Sequence, residues 1–124
     1  MSDAPITLQV GASRAVLLPP RSATVRLELV IALPESRSVG IRLAAATVGL
    51  CWPAGPDRPK AAYDGDVSAY GLRVADDLIA RGALVSDIIT AGAALIEAIA
   101  AAGLPGIAEA KEAARPTEAP EGAA

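Results

Sequence analysis

Residues Tyr63–Gly103, YDGDVSAYGLRVADDLIARGALVSDIITAGAALIEAIAAAG, decide the fold. Pattern, caps and breakers agree there on two helices joined by a glycine turn. In the first, Val67, Tyr70, Val74 and Leu78 recur at helical spacing, and Gly71, Ala75 and Ile79 widen the stripe. Ser68, Arg73, Asp76, Asp77 and Ala80 fall on the other side. Asp64 or Asp66 is a natural N-cap, where the helix dipole favours negative charge. Arg81 lies in the last turn, and Gly82 follows as a residue able to take a positive φ. The spacing predicts a helix over 64–81.

The second helix is predicted over 86–102, with Ser86 as N-cap and Asp87 in the first turn. Ile88, Gly92, Leu95, Ile99 and Ala102 mark one face, and Ile89, Ala93, Ile96 and Ala100 an adjacent one. Thr90 and Glu97 alone interrupt the apolar surface, and Gly103 and Pro105 end it. A helix this apolar is either central in a small core or part of a protein–protein contact. Gly92, Ala93 and Ala94 admit another backbone at close range. Ile88, Gly92, Leu95 and Ile99 are therefore candidate protein-interaction residues. A membrane span needs roughly 20 apolar residues. Asp87 and Glu97 lie inside or at the edge of a shorter run, so no membrane role is expected.

Outward from this block, Ile6–Val10 alternates Ile6, Leu8 and Val10 with Thr7 and Gln9. Gly11-Ala12-Ser13 is a turn, and Val16 and Leu18 resume the pattern. This reads as a β-hairpin over 5–19, closed by Pro19-Pro20, which cannot continue a ladder. Pro34-Glu35-Ser36 breaks the chain. Ser36 or Ser38 then caps a helix over about 37–51, with Ile41, Ala44, Ala45 and Val48 on one side. Pro53–Lys60 reads as an exposed, rather rigid loop. Residues 1–104 read as a single domain. Residues 105–124, rich in Ala, Glu, Pro and Gly, read as a flexible acidic tail with room for a short helix at Ile107–Ala114. Ala23–Leu33 fits two patterns. Val25, Leu27, Leu29, Ile31 and Leu33 alternate as in a strand, while Ala23, Leu27, Val30 and Ile31 also make a helix face. Periodicity slightly favours the strand.

Composition bounds the possibilities. A 124-residue chain can bury about two-thirds of its unfolded surface. Its core must come from Ala, Val, Leu and Ile, because there is no Phe, one Trp and two Tyr. Small side chains bury little area each, at roughly 25 cal/mol per Å². That predicts a marginal monomer that a partner helps to stabilise. The formal charge of −3 offers no field suited to nucleic acid. Basic residues gather in 21–62 and acids in 63–103. The acids read first as solvated helix faces; read functionally, the halves dock onto different partners. One cysteine forbids an intramolecular disulfide. Met1-Ser2-Asp3-Ala4-Pro5 is not the start of a signal peptide, which makes a cytoplasmic location the simplest expectation.

Catalytic chemistry finds little footing. Without histidine the commonest general base and metal ligand are missing, and Ser-His-Asp and Cys-His arrangements cannot form within the chain. Cys51 sits at a helix C-terminus, where the dipole disfavours a thiolate, so it reads as a small buried filler. Asp64-Gly65-Asp66 begins like a calcium loop but lacks the later ligands, and capping is the better reading. Asp76 and Asp77 read as surface charges, with Arg73 as a partner. No phosphate loop, cofactor site or small-molecule substrate site is evident. Arg58-Pro59-Lys60 is a basic knuckle, ordinarily solvated, that suits an acidic partner if it functions. Trp52 beside it is either an interface anchor or a core plug. Trp52, Arg58 and Lys60 join the candidate interaction residues.

The order of segments carries a resemblance. A short hairpin and helices are followed by AAATVGLCW at Ala44–Trp52, by Tyr63-Asp64-Gly65-Asp66, and by YGLRVADDL at Tyr70–Leu78. The chain resembles small proteins of phage and prophage tail gene clusters, among them tail assembly chaperones. The resemblance implies an α+β fold, mostly α: an N-terminal β-hairpin, then a small helical bundle ending in a helical hairpin. It therefore favours a helix at 23–33. It also implies a non-enzymatic protein in the cytoplasm of a bacterial host. Such a protein binds the tail-tube or tape-measure protein before assembly, or self-associates, and shields apolar surfaces. It fixes no binding residue at any position. The alternatives are a structural head or tail component of the virion and a small regulator or inhibitor of a host protein.

Overall fold

The computed structural model describes residues 6–33 and 38–102. Two strands come first, β1 (Ile6–Val10) and β2 (Ser13–Leu17), then α1 (Ala23–Ala32), α2 (Ile41–Leu50), α3 (Val67–Ala80) and α4 (Val85–Ala102). The chain is thus a hairpin followed by four helices, the α+β, mostly helical arrangement expected. The acidic tail and the segment Ile107–Ala114 lie outside the described residues.

The strands pair antiparallel, from Ile6 opposite Leu17 to Val10 opposite Ser13. The turn is two residues long, and Gly11 opens it at φ +58, the position where a tight hairpin turn wants glycine. Leu8, Val10 and Leu17 are buried, while Gln9, Arg14 and Val16 face out. Alternation along the strands therefore separates a core face from a solvent face.

Ala23–Ala32 is helical. The Ser22 hydroxyl accepts a 3.2 Å hydrogen bond from the Val25 N–H and nucleates it. Leu29 and Val30 are buried, which is the helical reading of an ambiguous run. The strand pattern fails because a local cap and packing against α4 and α2 outweigh β-propensity.

The second helix starts later than expected. It runs from Ile41 with Gly40 as N-cap and no side-chain cap. Ser38 does not cap it, and Ser36 lies outside the described residues. Val39 packs on the core just before a glycine in extended conformation (φ −83, ψ 176), and glycine resists the helix interior. From Ala44 to Gly49 every residue of α2 is buried. Thr47 is the one polar residue among them, and its hydroxyl donates to the Leu43 carbonyl at 2.7 Å. This helix is the centre of the core, wrapped by α3 and α4.

α3 is capped as its sequence requires. The Asp66 carboxylate accepts from the Ala69 N–H at 3.0 Å, and Asp64 accepts from the Asp66 N–H at 3.1 Å. The helix ends at Arg81, followed by Gly82 at φ +104. Ser86 does not cap α4. The helix already begins at Val85, and the Ile88 N–H bonds the Leu84 carbonyl at 3.0 Å. Ala83, buried and bridged to Val10, fixes the chain two residues earlier than the local preference of serine. No helix among the described residues is long and apolar enough to cross a membrane.

Candidate protein-binding cleft

The apolar face of α4 is not a surface. Ile88 and Leu95 are 0% exposed and Ile99 is 1% exposed. A β-carbon on Gly92 would sit 2.5 Å from the Ala44 Cα. One on Gly71 would overlap the Arg42 carbonyl. The small residues are thus spent on drawing α2 between α3 and α4, and Ile88, Gly92, Leu95 and Ile99 belong to the monomer's own core. Only the outer side of α4, with Thr90, Ala94 and Glu97, reaches solvent.

Trp52 follows α2 and is 7% exposed, so it is a core plug rather than a protruding anchor. Cys51 beside it is buried, and burial pushes its thiol up to about 12. It is an inert filler, as read. Arg58 is half-buried, with Nε out of contact with any hydrogen-bond partner, and Lys60 is exposed. Neither lines a pocket with Trp52.

What Trp52 does border is a cleft of about 520 Å³. Ala12–Val16 form one wall and Pro53–Asp57 the other, with Val10, Trp52 and Arg81 completing it. The wall residue Arg81 is locked in place. Its guanidinium donates to both Asp77 carboxylate oxygens, at 2.7 and 3.3 Å, and to the Asp57 carbonyl at 2.7 Å. Asp77 therefore pairs with Arg81, not Arg73, whose guanidinium reaches the Ala62 carbonyl at 3.2 Å instead. Arg14 is the other cation of the cleft. It is exposed, and its Nε donates only to the Gln9 side chain at 3.3 Å.

Part of the backbone of the β2 wall is unsatisfied. A two-residue turn makes Val10 and Ser13 a hydrogen-bonded pair, so the N–H and C=O groups of Arg14, Val16 and Leu18 point away from β1. The Leu18 N–H confirms this direction, donating to the Cys51 carbonyl at 2.9 Å. Continuing that pairing antiparallel would set Pro53 against Val16. Proline has no N–H to give, and the loop swings away. Among the described residues nothing pairs with the outward backbone groups of Arg14 and Val16. Sequence reading passes over this edge, although Pro53 and Pro56 beside the alternating Arg14, Val16 and Leu18 were its available signal.

Several large apolar side chains are exposed. Val16 on β2 and Leu18 just after it are 48% and 57% exposed, and Leu84 at the α3–α4 corner is 62% exposed. Tyr63 lies between α1 and α3. Its phenol donates to Glu28 at 2.6 Å and its ring meets Tyr70 edge-on at 5.3 Å. Partial burial, then the Glu28 hydrogen bond and charge, push the Tyr63 phenol above its usual range. These contacts tie α1 to α3 and are structural. Among the described residues no group of His, Cys, Asp or Glu is placed to hold a metal ion. No family model, no curated protein and no solved structure matches the chain.

Proposed function

We propose that this chain is a non-enzymatic holding protein of a phage tail cluster, which binds the tail-tube or tape-measure protein before assembly. The observation that carries the binding part is the cleft along β2, with an unpaired strand edge on one wall and exposed Val16 and Leu18 beside it. Contiguous exposed apolar side chains beside unsatisfied backbone suit transient contact with another polypeptide. The tail-cluster part rests on the resemblance of Ala44–Trp52 and Tyr63–Leu78 in sequence order. Ordinary partners in this reading are proteins, with no cofactor, no nucleic acid and no membrane.

Co-expression with the tail-tube and tape-measure proteins of the same gene cluster tests the reading. Soluble heterocomplexes are expected in gel filtration, and the chain should be missing from purified particles. A stoichiometric amount in mature virions, measured by mass spectrometry, would make it a structural component instead.

A further inference from the structure

We propose that the open edge of β2 takes up an extended, proline-free segment of a partner protein as an added strand. The segment places an acidic residue opposite Arg14 and an apolar one opposite Val16. This deepens the holding-protein reading and rests on it for the identity of the partner.

Three features define the occupant. First, the outward N–H and C=O groups of Arg14 and Val16 repeat every second residue, the pitch at which an antiparallel strand pairs. An unpaired edge of this kind is the usual entry for strand addition. Second, the Pro53–Asp57 wall stands across from this edge with the cleft between them. An added strand lies about 4.8 Å from its neighbour, and the cleft of about 520 Å³ runs beside the edge that it would pair with. A second copy of the chain would have to bring its own hairpin and proline loop into the same space. Third, Arg14 and Val16 project on the solvent face of β2, where cross-strand pairing selects the incoming side chains. The other cleft guanidinium, Arg81, is neutralised by Asp77, which leaves Arg14 as the cation that selects on the β2 wall, with the Asp57 carboxylate on the wall opposite. Main-chain bonds hold the segment, and Arg14 and Val16 choose it.

The test uses the full chain and two blocked peptides, acetyl-TVTETV-amide and acetyl-TVTKTV-amide, in which valine lies two residues from the charge and so meets Val16 when the charge meets Arg14. Trp52 is the chain's single tryptophan and lines the cleft, so its emission reports occupancy. Amide hydrogen exchange by NMR reports the edge itself. The acidic peptide should saturate the Trp52 signal and protect the Arg14 and Val16 amides, which exchange freely without it. Val16→Pro removes one outward N–H without touching the β1 ladder and should weaken binding at least tenfold. Val16→Thr should keep it. Arg14→Glu should weaken the acidic peptide about fivefold and favour the lysine peptide. No saturable binding by either peptide, or equal binding by Val16→Pro, overturns the inference. So does protection of both amides in the free monomer, which would mean a segment of the chain already fills the edge. A dimer abolished by Val16→Pro would assign the edge to a second copy and overturn it too. If co-expressed tail proteins stay bound to Val16→Pro, strand addition fails while the holding role stands. If wild type binds the peptide but no tail protein, the holding role fails instead.

Discussion

The interior of the α2–α3–α4 bundle and the outer edge of β2 satisfy their backbones in opposite ways. Inside, every α2 residue from Ala44 to Gly49 is buried, and Gly71 and Gly92 let neighbouring backbones meet α2 directly. At the edge, Leu18 makes one rung to Cys51, and the prolines that follow Trp52 cannot make the next. The two regions adjoin, since Cys51 and Trp52 leave the centre of the core and enter the wall of the cleft. Small residues thus build a core with few large side chains, whereas prolines keep one strand edge open next to it. Closeness is what stabilises the first region, and lack of pairing is what equips the second.

The sharpest way to break the interior is to restore a side chain where backbones touch. Gly92→Leu would drive its β-carbon into the Ala44 backbone, which has no flexible end to move aside. Overpacking of a core ordinarily costs about 1–3 kcal/mol and more where backbone must shift. Here the loss should exceed about 3 kcal/mol, enough to threaten a marginal domain. Circular dichroism and urea titration would read it. A wild-type midpoint would mean that α2 and α4 are not in contact.

Alkali probes the junction of the two regions. The Cys51 thiol rises from 9.0 to about 12 because burial disfavours the thiolate. Below pH 9 both folded and unfolded chains keep the proton, and stability is unaffected. Above pH 9 the unfolded chain ionises first, so stability falls as pH rises towards 12. The loss should reach about 2 kcal/mol near pH 10.5. The raised phenols of Tyr63 and Tyr70 act in the same direction. Urea midpoints at a series of pH values measure it, and Cys51→Ala should remove the cysteine share of the slope. An unchanged slope in that variant would place Cys51 in water.

Much of the interior is legible in the sequence, and little of the edge is. The α3 stripe of Tyr70, Val74 and Leu78 shows its buried side directly, and Asp66 caps where carboxylates cap. The apolar excess of α4 is equally visible, but its destination is not. Ile88, Leu95 and Ile99 look like a surface for another chain until α2 is seen to consume them. Serine caps mislead for the same reason. Ser86 and Ser38 have the right local chemistry, yet Ala83 bridged to Val10 and Gly40 in extended conformation decide where α4 and α2 begin. The cleft depends on where the Pro53–Asp57 loop travels, and no local pattern encodes the path of a loop relative to a distant strand.

A smaller effect compares how helices begin. Asp66→Ala should cost about 1 kcal/mol, because the Ala69 N–H loses its acceptor at the start of α3. α2 has no such cap, and burial alone must hold its first turn. The matching change Gly40→Ser supplies an acceptor there and should gain a few tenths of a kcal/mol. Thermal melts of the two variants should therefore move in opposite directions. Parallel shifts would mean that α2 is not uncapped at Gly40.

The smallest effect on stability is expected at the edge, which makes it the most telling. Proline in a strand is costly when it removes a ladder hydrogen bond and tolerated when its N–H side faces away from the sheet. Val16 lies in the second situation, since its N–H points from β1 into the cleft and its side chain is about half exposed. Val16→Pro should therefore shift the urea midpoint by no more than about 0.5 kcal/mol equivalent. Ala15, one residue earlier, faces Leu8 in a hydrogen-bonded pair, so Ala15→Pro removes a rung and should cost clearly more. A hairpin one residue out of register would reverse the two results, because a single step exchanges inward and outward groups along the whole strand. The order of these two midpoints consequently decides whether the edge facing the cleft is the free one.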